Sequence, residues 1–189
     1  MVLQKFQEKE KKIIAFTGLD GSGKTIQAFL LYKELLNKGK KVVYRHLIKE
    51  STAHRLMKLP HHLLPPFLKK FIRKLFAFYD LVKFILWLRD KEGIILCDRY
   101  FFDILIHIKT LDGDSPLFEK IYCRLIPPAV IFFLNVTPEE AWRRKPEHSL
   151  SLLRKKFQYY KILQDKFITL PSDSIENVQR KVREKLSEY

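Results

Sequence analysis

Short apolar runs alternate with longer amphipathic stretches along this chain, and the alternation predicts an architecture. Residues 13–17, 41–44, 94–97, 129–136 and 167–170 are predominantly apolar runs too short for helices, and they read as strands buried on both faces. Between them, residues 24–37, 51–59, 67–89, the stretch up to about 109, 150–166 and 174–186 carry helical patterns. In the first helix Ile26, Leu30, Leu31 and Leu35 form the expected apolar face, and Gly39 follows its end. Ser51 is placed to cap the second helix. Thr137 opens another as a hydroxyl cap, with Pro138 at the first position and Glu139 and Glu140 in the first turn. Pro60, Pro65 and Pro66 break the chain, Gly93 and residues 111–114 mark turns, and residues 146–149 form a polar break. Strands and helices in this order predict an α/β fold of three layers: a parallel five-stranded sheet flanked by helices, with ligands at the carboxyl ends of the strands.

Length and composition narrow the picture. The 189 residues, 47% hydrophobic, suit one domain over 1–189, and no repeat or linker divides them. Residues 1–12 are polar and carry no secretory pattern. The most apolar stretch, 67–88, is interrupted by Lys69, Lys70, Arg73, Lys74, Asp80 and Lys83, which excludes a spanning helix. It has more apolar surface than one helix face needs, so it either lies in the core or forms a dimer interface, and of the two a homodimer is expected. Cys97 and Cys123 lack metal-ligand spacing and suit free thiols in a reducing cytoplasm. His61-His62, between prolines, reads as a surface turn. The formal charge of +15 is spread along the chain and reads as a lysine-rich solvated surface, so neither a nucleic-acid nor a membrane partner is expected.

The chemistry begins directly after the first strand. Gly18, Leu19, Asp20, Gly21, Ser22, Gly23, Lys24 and Thr25 match the phosphate-loop pattern in its strand–loop–helix context. Glycines let backbone N–H groups curl around an anion, and the helix start aims its dipole at it. Lys24 reaches the β- and γ-phosphates, and the Thr25 hydroxyl serves Mg²⁺. ATP with Mg²⁺ is the expected ligand, and the fold is that of a P-loop NTPase. Lys24 is expected to face solvent, so that Lys24→Ala removes activity without unfolding the chain.

A second motif ends the third strand: Asp98 is a candidate metal-holding carboxylate and Arg99 a clamp for a second phosphate. An arginine here, rather than a glutamate, favours transfer to an acceptor over hydrolysis. Arg143, Arg144 and Lys145, before the break at Pro146, can supply mobile charge over the transferred group from a short lid at about 143–150.

Several segments together resemble the thymidylate kinases among the nucleoside monophosphate kinases. They are the loop from Phe16 to Gln27, Leu75-Phe76-Ala77, Asp98-Arg99-Tyr100, Pro128 through Ala141 with Arg144, and the stretches 157–164 and 172–178. The resemblance implies transfer of the γ-phosphoryl of ATP to dTMP. It implies Lys24 on the donor phosphates, Asp20 on the acceptor's sugar hydroxyl, Phe76 stacked on its base and Arg99 on its phosphate. It also implies a catalytic arginine from the lid, with Arg143 and Arg144 as candidates. The chain departs from the family in three places. Arg45 or Lys49 has to stand in for an arginine after the second strand. Asp80 occupies the place of an arginine that meets the thymine edge, so Asp80→Arg is expected to improve dTMP use. Asp103 occupies the place of a serine, with His107 and Ile108 following where the family has an aromatic and a Gln. These departures keep open another nucleotide, a nucleoside or a small molecule as acceptor. An ATP-binding protein that engages nucleic acid is the alternative outside kinase chemistry.

Overall fold

A computed structural model describes residues 12–57, 65–171 and 173–188. The polar N-terminal stretch up to residue 11, the His61-His62 turn and Ser172 therefore lie outside the described residues. Five strands, β1 (Lys12–Gly18), β2 (Val42–His46), β3 (Ile94–Asp98), β4 (Val130–Asn135) and β5 (Ile168–Pro171), form one sheet in the order β2-β3-β1-β4-β5. Every neighbouring pair is parallel, with Phe16 of β1 opposite Asp98 of β3 and Phe132 of β4. That register brings the ends of β1, β2 and β3 level with one another.

Alternation along β1 sorts the layers. Ile13 and Ala15 face a cluster with Ala77, Leu81, Phe84 and Phe101, whereas Ile14 and Phe16 face Ala28, Leu31, Val178 and Val182. The first cluster belongs to helices α4 (Pro66–Leu88) and α5 (Phe101–Asp112), the second to α1 (Lys24–Asn37) and α9 (Ile175–Ser187). Phe16, fully buried and stacked on Phe132 at 5.4 Å, contributes roughly 2–3 kcal/mol from its burial alone.

The remaining helices are α2 (Leu47–Glu50), α3 (Thr52–Met57), α6 (Pro116–Leu125), α7 (Pro138–Arg144) and α8 (Leu150–Ile162). Helix α3 stands where the sequence predicts a helix from 51, and Ser51 caps it as expected by accepting the His54 N–H at 3.0 Å; residues 58 and 59 lie outside the described residues, and the short α2 precedes it. Two expectations change. Pro66 opens α4 at its first position, where a missing N–H costs nothing, rather than breaking the chain. The buried face of α1 is Lys24, Gln27, Ala28 and Leu31; Ile26 and Leu30 are exposed, because the helix docks through its small Ala28. The long helix α4 buries Ala77, Asp80, Leu81 and Phe84 and leaves Phe67, Phe71, Leu75, Tyr79, Val82 and Leu86 in solvent. No helix among the described residues is long and apolar enough to cross a membrane.

Candidate active site

The loop from Gly18 to Gly23 leaves β1 and turns into α1. Gly21 sits at φ 90°, and a side chain there would run into the Ala141 backbone carbonyl of α7. Only glycine lets the loop pass this close beneath the helix that precedes the lid. Lys24 does not face solvent as expected: it is 4% exposed, and its Nζ donates to the Leu19 carbonyl at 2.7 Å. Burial, reinforced by the Arg99 charge and opposed by Asp20, lowers its pKa to about 7. The ammonium thus folds back on its own loop.

The exit of β3 supplies the second half. Asp98 is fully buried; Tyr44 donates its hydroxyl to Oδ2 at 3.2 Å and His46 Nε2 lies 3.7 Å from the same atom, while Oδ1 has no hydrogen-bond partner among the described residues. Burial and the Asp98 charge push the Tyr44 hydroxyl's pKa up, so Tyr44 stays a donor. Arg99 adopts φ 71°, a left-handed conformation that is uncommon outside glycine, and is pinned there by donating its N–H to the Phe16 carbonyl at 2.9 Å. This turn aims its guanidinium back across the loop, where it pairs with Asp20 and reaches Asp103 Oδ1 at 3.5 Å.

Asp20 is the hub of the charges. Besides Arg99, it has Lys24 at 3.9 Å, Lys156 at 3.6 Å and His148 at 3.4 Å. Burial alone would raise its pKa, but Arg99, Lys24 and Lys156 together hold it well below the usual carboxylate range. Burial in turn lowers Lys156 and His148. Such a concentration of cations around one carboxylate leaves net positive charge for anionic ligands. A cavity of about 730 Å³ opens over it. The phosphate loop from Asp20 to Thr25 forms its floor, Arg99, His46 and Lys49 one side, Arg144 and Lys145 another, and Pro171, Ile175 and Val178 the apolar end.

The family model for thymidylate kinase matches residues 16–182. The chain belongs to the thymidylate kinase family. It is 29% identical over 133 residues to a probable thymidylate kinase of Sulfurisphaera tokodaii, covering 70% of this chain and 68% of that protein. It is 26% identical over 159 residues to the thymidylate kinase of Rickettsia typhi, covering 79% and 78%. The crystal structure of thymidylate kinase from Ehrlichia chaffeensis shares the fold, with a TM-score of 0.63 at 22% identity over 93% of this chain and 98% of that one. Phosphorylation of dTMP is the function of the thymidylate kinase family, and ATP, generally with Mg²⁺, is its phosphate donor.

Within this thymidylate kinase fold, the expected site residues separate into two groups. Asp20, Gly21, Ser22, Gly23, Lys24, Thr25, Lys49, Arg99 and Arg144 line the cavity; Gly18, Leu19, Arg45, Phe76, Asp80, Asp98, Asp103 and Arg143 do not. Arg45 turns away, paired with Glu50 and stacked over Trp87 at 4.3 Å. Phe76 is half-buried against the α4–α5 core, and Arg143 is exposed. Asp80 is spent on structure: it accepts Ser51 Oγ at 2.7 Å, Ala53 N at 2.9 Å and Thr52 N at 3.0 Å, and so holds the start of α3. An arginine there would strand three donors, which argues against the expectation that Asp80→Arg improves dTMP use. Sequence reasoning missed Lys156 and Tyr160. Their signal was legible: both fall with Leu153 on the buried face of α8, where a lysine on an apolar stripe marks a buried charge partner.

The donors present fit Mg²⁺. Thr25 is exposed at the end of the loop, and Asp98 offers a buried carboxylate oxygen without a hydrogen-bond partner among the described residues, both hard oxygen ligands.

Proposed function

We propose that this chain binds ATP with Mg²⁺ along the Gly18–Thr25 loop and transfers its γ-phosphoryl to dTMP, giving dTDP and ADP. The observation that carries this reading is the single cavity shared by the phosphate loop, Arg99, Lys49 and Arg144. In this reading the loop N–H groups and Lys24 hold the donor phosphates, with Lys24 swinging off the Leu19 carbonyl to do so. Thr25 and Asp98 would hold Mg²⁺, which when bound neutralises phosphate charge. Arg99 takes the acceptor phosphate and Asp20, released from it, the sugar hydroxyl. Arg144, 43% exposed and paired with Glu140 one turn earlier on the same helix, supplies charge over the transferring group. Arg143 is the second candidate for that role. Lys49 serves the acceptor side in preference to Arg45. Phe76 offers its ring to the acceptor base if α3 and α4 adjust on binding. Catalysis is then positioning and charge neutralisation, with no covalent intermediate on the protein.

The exposed apolar stripe of α4 supports a homodimer through that helix, and two free cysteines suit a reducing cytoplasm. The test of the acceptor is ADP release from ATP and Mg²⁺ with dTMP, dUMP, dCMP, dGMP and dAMP offered separately. Preferential turnover of dTMP supports the reading; preference for another monophosphate replaces the acceptor.

A further inference from the structure

Asp103 does not line the cavity, yet it holds Arg99, which does. It is 3% exposed, and a carboxylate that deep persists only if its oxygens are satisfied. Oδ2 accepts the Thr17 hydroxyl at 2.7 Å and the Tyr100 N–H at 2.9 Å. Oδ1 accepts the Tyr160 hydroxyl at 2.8 Å and faces Arg99 at 3.5 Å. These four groups come from the end of β1, the exit of β3 and α8. The Tyr160 hydroxyl also lies 3.2 Å from the Gly18 carbonyl, the first residue of the phosphate loop, and its ring stacks on Phe133 of β4 at 5.1 Å.

Arg99 therefore stands between two carboxylates of different commitment. Asp20 is shared among Arg99, Lys24, Lys156 and His148. Asp103 is closed off by the protein and cannot follow a ligand. When an acceptor phosphate draws Arg99 away from Asp20, the second carboxylate is what keeps the guanidinium aimed. We propose that Asp103 is a positioning residue for Arg99, and that Tyr160 ties this anchor to the helix leaving the lid. This inference rests on the reading of Arg99 as the acceptor-phosphate residue.

The test is a comparison of the full-length wild type with Asp103→Asn and Tyr160→Phe. The Asn keeps an acceptor for Thr17 and Tyr100 but turns an N–H toward Arg99 and Tyr160; the Phe keeps the stack on Phe133 and loses only the hydroxyl. Loss of a charge-assisted hydrogen bond predicts that Asp103→Asn raises the dTMP KM and lowers kcat, with kcat/KM falling about 10–100-fold. ATP affinity, read by direct binding, stays within about threefold, because no side chain that lines the phosphate loop is replaced. Tyr160→Phe moves the dTMP parameters in the same direction by about threefold to tenfold. The inference is overturned if Asp103→Asn handles dTMP like the wild type. It is also overturned if ATP and dTMP affinity fall together with thermal stability, which marks a purely structural role. Should Asp103→Asn fail to fold, unchanged dTMP kinetics in Tyr160→Phe overturn it. A wild type that ignores dTMP while binding ATP overturns the acceptor reading instead, and is seen before any variant is made.

Discussion

Replacing Lys24 with Met should make the ligand-free protein more stable while destroying its activity. The ammonium is 4% exposed, and its only close compensation is the Leu19 carbonyl at 2.7 Å, with Asp20 at 3.9 Å. Lowering its pKa from 10.5 to about 7 corresponds to about 5 kcal/mol of cost to the charged form at about 1.4 kcal/mol per tenfold. The sign follows from linkage: between pH 7 and 10.5 the unfolded chain binds the proton that the folded chain has released, so stability from this group rises with pH. The full cost is present below pH 7, and at pH 9 about 2 kcal/mol of it remains. Methionine fills a similar unbranched volume without charge. Allowing for lost contacts, urea unfolding of Lys24→Met should show a gain of about 2–4 kcal/mol at pH 6 and one smaller by about 2–3 kcal/mol at pH 9. Turnover should fall at least about 100-fold. ATP should stabilise the wild type far more than the variant. A variant less stable than the wild type at pH 6, or a gain that ignores pH, would refute the reasoning.

Three further outcomes follow from the same geometry. Arg144→Ala should lower kcat about 100–1000-fold, while Arg143→Ala, at an exposed position that does not line the cavity, should stay within about threefold in steady-state kinetics. Equal losses would mean the lid closes in a different register. Asp80→Arg should cost about 3–5 kcal/mol in urea unfolding, since three donors at the start of α3 lose their acceptor and a charge is buried. Unchanged stability with improved dTMP use would restore Asp80 to the acceptor site. Leu75→Glu, in the exposed stripe of α4, should shift sedimentation from dimer to monomer; a monomeric wild type would remove the dimer.

What the residue order disclosed, and what it hid, divides along physical lines. Short apolar strands, the glycine loop and the Asp98-Arg99 turn are local signals, and each placed a piece of the sheet or the site. The boundaries of the helix at 24–37 were legible, but its buried face was not, because Ile26 and Leu30 are as apolar as the residues that pack. Docking through Ala28 is decided by the neighbouring sheet. The apolar run at 67–88 disclosed a helix without disclosing that Ala77, Leu81 and Phe84 are its buried apolar residues, with Phe76, Phe78, Ile85, Trp87 and Leu88 half-buried beside them. Helix α6 carries a legible signal in Ser115-Pro116 at its start, Glu119 in its first turn and an apolar face with Phe118 and Tyr122, whereas α2, four residues long, is too short to show a period. Asp80 and Asp103 were visible as unusual residues, but their partners, Ser51 at a separation of 29 and Thr17 at 86, come from other elements. A carboxylate's role depends on which donors the fold delivers to it, and that is a tertiary fact. Lys24 shows the same limit: the motif identified the residue, while its burial and folded-back pose came from the surrounding charges.

The account turns on the acceptor. Incubating the protein with Mg²⁺, ATP labelled in its γ-phosphate and dTMP, then separating the nucleotides, follows the transferred group itself. The account predicts label in dTDP, formed in step with ADP. Label appearing only as inorganic phosphate, or remaining in ATP while ATP is bound, would contradict it.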